Sequence, residues 1–363
     1  MFRVIRRRKV SLFFIISSSL FLVSSALVVT ARLSRAAADF LTSTVGHAYR
    51  VALSWVSGLL PFSVFEIVIC LLPFVLGFVI FLAVRAAKRG MGRARLVLNL
   101  LGAVLLLLSA YNVSMGTAYH TTPVAEKLDI KEVEIDAQSL ANAMELLRDE
   151  VNRIAPLIDY GEDGVSTPGV TLDGISERVC AAYSSFAAER GFPKSFDSRV
   201  KGMVASPLMS MLGLTGIYTF YTGESNVNIT YPSYDVVFTT AHELSHQRGI
   251  MRENEANFMA FLVLYRSGDD YLRYSAALTM LEYVGYALYR TDEAAYREIL
   301  ATLDERALSD VRASSAVSKK YGGTILADIS DFFNDLFLKS NGTEGIVSYG
   351  MVTTLAVSYL TAE

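Results

Sequence analysis

Three long apolar runs near the N-terminus constrain this chain more than any other feature. Ser11–Thr30 is long enough to cross a bilayer, for which about 20 residues are needed. A second run covers Phe62–Val84 and a third Leu96–Ala110, the last reaching full length only with Tyr111–Val113. Residues 1–113 are therefore read as a membrane domain with transmembrane helices at about 11–31, 62–84 and 96–113. Arg3, Arg6, Arg7, Arg8 and Lys9 precede the first, and Arg85, Lys88, Arg89, Arg93 and Arg95 lie between the second and third. Positive charge stays on the cytoplasmic side. The third span then leaves the cytoplasm, and the sequence predicts a multi-pass plasma-membrane protein with residues 114–363 extracytoplasmic. The basic start, apolar run and Ala36-Ala37-Ala38 also fit a cleaved signal peptide. The run is longer than a usual signal core, and two spans follow, which favours an uncleaved anchor with the same orientation. Arg32–Leu60 has amphipathic helical character and lies on the outer membrane surface or packs on the spans.

Residues 114–363 are ample for one core. Thr121–Glu134 reads as a linker. Leu140, Met144, Leu147, Val151 and Ile154 form a helical stripe, and Leu172–Gly191 is a second helix stopped by Gly191 and Pro193. Ile217–Tyr221 and Ser225–Tyr231 carry the strand signal, separated by Thr222-Gly223. They predict a short hairpin or edge strand, and Asn226, Val227 and Asn228 are candidate residues for binding an extended peptide by strand addition. From Ser233 onward the pattern is helical. Tyr274, Tyr283, Tyr286 and Tyr289 share one long helix, where core packing is a more common use of a phenol than oxyanion stabilisation. The fold class expected is mainly α: N-terminal transmembrane helices, then an α+β extracytoplasmic domain with a small hairpin.

The chemistry concentrates at His242-Glu243-Leu244-Ser245-His246, which uses two of the four histidines. Residues four apart lie on one helix face, so both imidazoles can share one zinc ion (Zn2+) at roughly 2.0–2.1 Å. Glu243 flanks that position as a general base for water activated at the metal. Gly249 ends the helix, and Arg252–Phe258 begins another. Glu253 lies about 10 Å along the axis if the helix runs on, so the chain has to turn at Gly249 for it to reach a shared ion. Glu253 and Asn257 then share a face, and Glu255 points away. Glu253 is favoured over Glu255 as third ligand, with Asn257 behind it as a partner for a histidine. A carboxylate at a helix start, or paired with Arg248 or Arg252, is the plain alternative for either glutamate.

Around these residues the sequence resembles zincin metallopeptidases of the gluzincin kind, whose H-E-x-x-H is followed by a glutamate on a second helix. Glu253-Asn254-Glu255-Ala256-Asn257 resembles their E-x-x-A-D pattern, with Asn257 in the Asp position. Phe238–Gly249 with Arg252–Phe258, together with Gly223–Asn228 and Leu60–Ser63, is more closely similar to the DUF3810 family, bacterial multi-spanning proteins. The resemblance implies a zincin-like outer domain, zinc on His242, His246 and Glu253, and Glu243 as base. Two departures stand out: a short gap from His246 to Glu253, and Asn257 for Asp.

The expectation is a membrane-anchored zinc metallopeptidase hydrolysing peptide or protein substrates outside the cytoplasm. The alternative is a non-catalytic zinc-binding sensor or scaffold. An intramembrane protease is disfavoured because Asp235 and Arg248–Glu255 place charges beside the motif and no apolar span contains it. Cys70 lies within the second span and Cys180 in the outer region, so they are not expected to pair and offer no disulfide or metal framework. A net charge of −3 with no nucleic-acid motif excludes that class of partner. The sequence leaves the oligomeric state open.

Overall fold

The computed structural model describes residues 10–89, 93–345 and 351–362. The basic cluster Arg3–Lys9 and the start of the last expected helix fall outside them. The chain opens with α1 (Leu12–Leu33), α2 (Arg35–Leu41), α3 (His47–Gly58), α4 (Val64–Arg89) and α5 (Arg93–Tyr111). Three helical stretches, Leu12–Leu33, Val64–Arg85 and Arg93–His120, are long and apolar enough to cross a membrane. The third outruns the expected end at residue 113, because the helix continues through a π turn at Asn112–Gly116 and a 3-10 turn at Ala118–His120. Helix α1 packs along α5, where a Cβ at Gly102 would lie 3.0 Å from the Phe13 ring. Asn112 adds polar contacts to Ser24 and Ser25 at 3.2 and 3.3 Å. Small and polar residues hold apolar helices together in this way.

Next come α6 (Val124–Lys127), α7 (Ala137–Ile154), the two-residue pair β1 (Asp159–Tyr160) and β2 (Ser166–Thr167), α8 (Leu172–Arg190), β3 (Lys201–Gly202), α9 (Ser206–Met211), β4 (Gly216–Thr219) and β5 (Glu224–Val227). Helices α10 (Ser233–Gln247), α11 (Glu253–Tyr265), α12 (Asp270–Thr291), α13 (Glu293–Leu300), α14 (Glu305–Tyr321), α15 (Ile325–Ser340) and α16 (Val352–Thr361) complete the chain. The expectation of a mainly helical molecule agrees with this order. Helix α7 starts at a reciprocal cap between Asp136 and Ser139 and buries the whole stripe from Leu140 to Ile154. That stripe lies on α12, which also packs on α10 and α11, so one core surrounds α10. Helix α8 ends at Gly191, whose φ of +70° provides a left-handed cap.

Two expectations need correction. The small sheet has the order β3-β5-β4, with β3 parallel and β4 antiparallel to β5. The segment from Ser225 is therefore the central strand and not an edge. Asn226, Val227 and Asn228 are almost wholly buried. Asn226 accepts from Ser63 Oγ at 2.7 Å, and Asn228 donates to Ser210 Oγ and Leu214 O at 2.8 and 2.9 Å. Their polar groups are spent inside the fold, so they do not face a peptide.

The second correction concerns the division at residue 113. Residues from Arg35 to Glu66 pack against the body built by residues 114–363. Both Glu224 carboxylate oxygens accept the first amides of α4, Val64 and Phe65, at 2.9 Å. Glu66 accepts from Val204 and Ala205 amides. Gln247, at the end of α10, donates to Ser54 Oγ at 3.1 Å and Gly223 O at 2.8 Å. Residues 121–134, expected as a linker, are likewise packed, with Val124 and Ala125 buried.

Candidate metal centre

Helix α10 carries His242 and His246 on one face, as a four-residue spacing requires. It ends because Gly249 adopts φ +93°. That conformation is open to glycine and costly for other residues. Space imposes the same choice: a Cβ at Gly249 would lie 2.6 Å from Arg50 Nη2. After the turn, Arg252 starts α11 and delivers Glu253 to the two imidazoles.

The result is a compact triangle. His242 Nε2 lies 3.0 Å from His246 Nε2 and 3.2 Å from Glu253 Oε2, and His246 Nε2 lies 3.5 Å from the same oxygen. Tetrahedral bonds of roughly 2.0–2.1 Å require ligand separations of about 3.3–3.4 Å. The three observed edges bracket that value, so the donor set fits a zinc-sized ion. The rings are nearly perpendicular, with both Nε2 atoms turned inward. His246 Nδ1 is 2.8 Å from Ile250 O, which fixes a proton on Nδ1 and turns Nε2 to the triangle.

The other predicted residues fall into distinct places. Glu255 is turned away from the triangle: it accepts from Arg252 at 2.8 Å and from the Val124 amide at 3.1 Å. Asn257 is buried on α11, but it bonds to neither histidine among the described residues. Asn257, expected as a histidine partner, makes no such bond among the described residues, and Ile250 O holds His246. His242 Nδ1 and Asn257 Nδ2 are both buried without a partner among the described residues.

Glu243 is 3% exposed and sits against β4 at Gly216. Gly216 makes this approach possible, since a Cβ there would lie 2.4 Å from Glu243 Oε1. The Tyr218 amide donates to the Glu243 carboxylate, and Glu243 Oε2 has no partner among the described residues. Burial raises its pKa to about 7, with Glu253 adding to the rise and the histidines opposing it. A carboxylate poised there can accept a proton near neutrality.

His246 is pushed down by burial, but Glu253 overrides this and lifts it to about 9. Glu253 is pushed up by burial, but His246 and His242 hold it well below the usual carboxylate range. A cation seated in this triangle would compete with protons for the same atoms.

Sequence reasoning missed the supports of this centre. Arg50, fully buried, donates to Ser114 O and Thr42 O at 2.8 and 2.9 Å and braces Gly249. An arginine in an amphipathic stretch gives no sign of burial in one sequence. Tyr283 was one of four candidate phenols; burial, followed by Glu253, pushes it up to about 12. Tyr274 instead donates to Asp310 at 2.6 Å in the core, and Tyr286 is exposed.

A family model described as protein of unknown function (DUF3810) matches residues 44–357. The chain belongs to the DUF3810 family. The match begins just before α3 and takes in both helices of the His/Glu triangle and the hairpin. No curated protein and no solved structure matches the chain.

Proposed function

We propose that this DUF3810 protein is a membrane-anchored zinc metallopeptidase that hydrolyses peptide bonds outside the cytoplasm. The observation that carries the reading is the triangle of His242, His246 and Glu253 with the Glu243 carboxylate beside it. In this zincin-like reading, His242, His246 and Glu253 hold the ion. A zinc ion held there supplies Lewis acidity, acidifying a water molecule and polarising a carbonyl oxygen. Glu243 takes the proton from the attacking water and delivers it to the leaving amine as the C–N bond breaks. The product is a carboxylate and a free amine. Strand β4 has no second strand partner among the described residues and lies against Glu243. It replaces β5 as the strand that aligns a substrate backbone.

Burial of Glu243 and His246 favours a second reading, a structural or sensory zinc site without turnover. Closed four-ligand sites are structural, whereas catalytic sites keep a position open. The separating experiment incubates purified full-length protein with a quenched peptide library, comparing wild type with Glu243→Gln at equal zinc content. Cleavage by wild type that the variant loses supports the peptidase. Zinc retention with no cleavage by either supports the structural site.

A further inference from the structure

A cavity of about 460 Å³ opens on the far side of the turn that positions Glu253, lined by α2, the π turn after it, α3, and the loops at Thr121–Thr122 and Gly191–Lys194. This size lies within the usual range for small-molecule sites, about 300–1,000 Å³. Its charges do not balance. Two acids line it, and both are already satisfied: Asp39 pairs with Lys127 at 2.7 Å and binds Thr122, and Glu255 pairs with Arg252. The remaining lining charges are cationic. Arg248 is 4% exposed, donates to Leu244 O, Phe196 O and Cys180 Sγ and lies over the Tyr183 and Phe196 rings, so no carboxylate pairs with it among the described residues and its Nε has no partner there. Lys194 is exposed at the rim and has no ion pair among the described residues. His47 Nδ1 and Thr42 Oγ1, both buried atoms on the lining, also lack partners among the described residues. Behind the wall, Arg50 adds a second buried guanidinium bonded only to neutral carbonyls.

Buried guanidinium groups without carboxylates are costly unless an anion answers them. The donors left here comprise the Arg248 Nε, a lysine, an imidazole nitrogen and a hydroxyl, and a phosphoryl group is the anion whose several oxygens such donors recognise. The location narrows the source. The lining segment α2–α3 joins two apolar spans, and it projects Phe40, Val45, Trp55, Val56 and Leu59 outward. Exposed aromatic and aliphatic residues of this kind mark the lipid interface, and Phe40 itself stands at the cavity.

We propose that this cavity binds a phosphoryl anion, and that its occupant is the phosphate of an anionic phospholipid headgroup. The inference rests on the three apolar helices and stands apart from the metal reading. Gly249 and Ile250 form part of the wall, so the bound headgroup lies behind the turn whose carbonyl orients His246.

The test titrates full-length protein in neutral detergent with short-chain phosphatidylglycerol, short-chain phosphatidylcholine and inorganic phosphate, reading bound species by native mass spectrometry. Phosphatidylglycerol should bind at least about tenfold more tightly than phosphatidylcholine, with inorganic phosphate competing. Lys194→Glu and, separately, Thr42→Val should abolish the preference while leaving the thermal midpoint and zinc content unchanged. Binding of inorganic phosphate with no preference between the lipids would overturn the lipid assignment. Equal phosphatidylglycerol affinity in wild type and both variants, or no binding at all, would overturn the site.

Discussion

Glu243 bears the heaviest demand of any side chain here: it is buried and half-satisfied, and the proposed mechanism has it gain and lose a proton. Glu243→Gln keeps the shape and removes the base. Peptidase activity should fall about 10²–10⁴-fold at unchanged zinc content, measured by turnover and metal analysis on one preparation. The base works only when ionised. Burial places its pKa at about 7 without metal, and a cation beside it lowers that value. Activity should therefore rise with pH and be lost on the acid side, with a midpoint at or below about 7. The two neighbouring glutamates separate by role. Glu255→Ala leaves Arg252 without its carboxylate and the Val124 amide without its acceptor. It should cost about 3 kcal/mol of stability, read by thermal unfolding, while zinc remains bound.

At the scale of elements, the site is a helix, a turn and a helix, and this much was legible. The spacing of His242 and His246 put both rings on one face, and Gly249 marked the break that returns Glu253 to them. The stripe from Leu140 to Ile154 was legible for the same reason: a period of 3.6 survives in a single sequence. The sheet order was not. Strand β3 has only Lys201 and Gly202, with no alternation to read, yet its parallel pairing turns β5 from an edge into a centre. Arg50 was hidden too, because its partners are backbone carbonyls and the flank of a distant glycine. Gly249→Ala tests the turn. Forcing a Cβ into a left-handed residue and against the guanidinium should cost about 1–3 kcal/mol. Zinc affinity should fall with it, although no ligand is changed.

For the whole molecule, the body built by residues 114–363 and the apolar N-terminal helices are one unit: Glu224 caps α4, and Gln247 reaches back to α3. Tests therefore belong on the full chain. The core also stores a pH response. Burial, followed by Asp235, raises Glu282 to about 8, and burial raises Asp235 to about 7. The unfolded chain releases these protons near pH 4. Between about pH 4 and 8 the folded state holds more protons, so the stability from these groups is full below that range and lost as pH rises through it. The thermal midpoint should drop from about pH 6 to about pH 8.5, and drop less in Glu282→Gln.

The whole account depends on a cation seated among His242, His246 and Glu253. The direct measurement is zinc content of the full-length wild type, Glu253→Ala and Glu255→Ala after dialysis at neutral pH. The account predicts about one zinc per chain in wild type and Glu255→Ala and little in Glu253→Ala. A metal-free wild type, or zinc that persists in Glu253→Ala and leaves with Glu255→Ala, would contradict it.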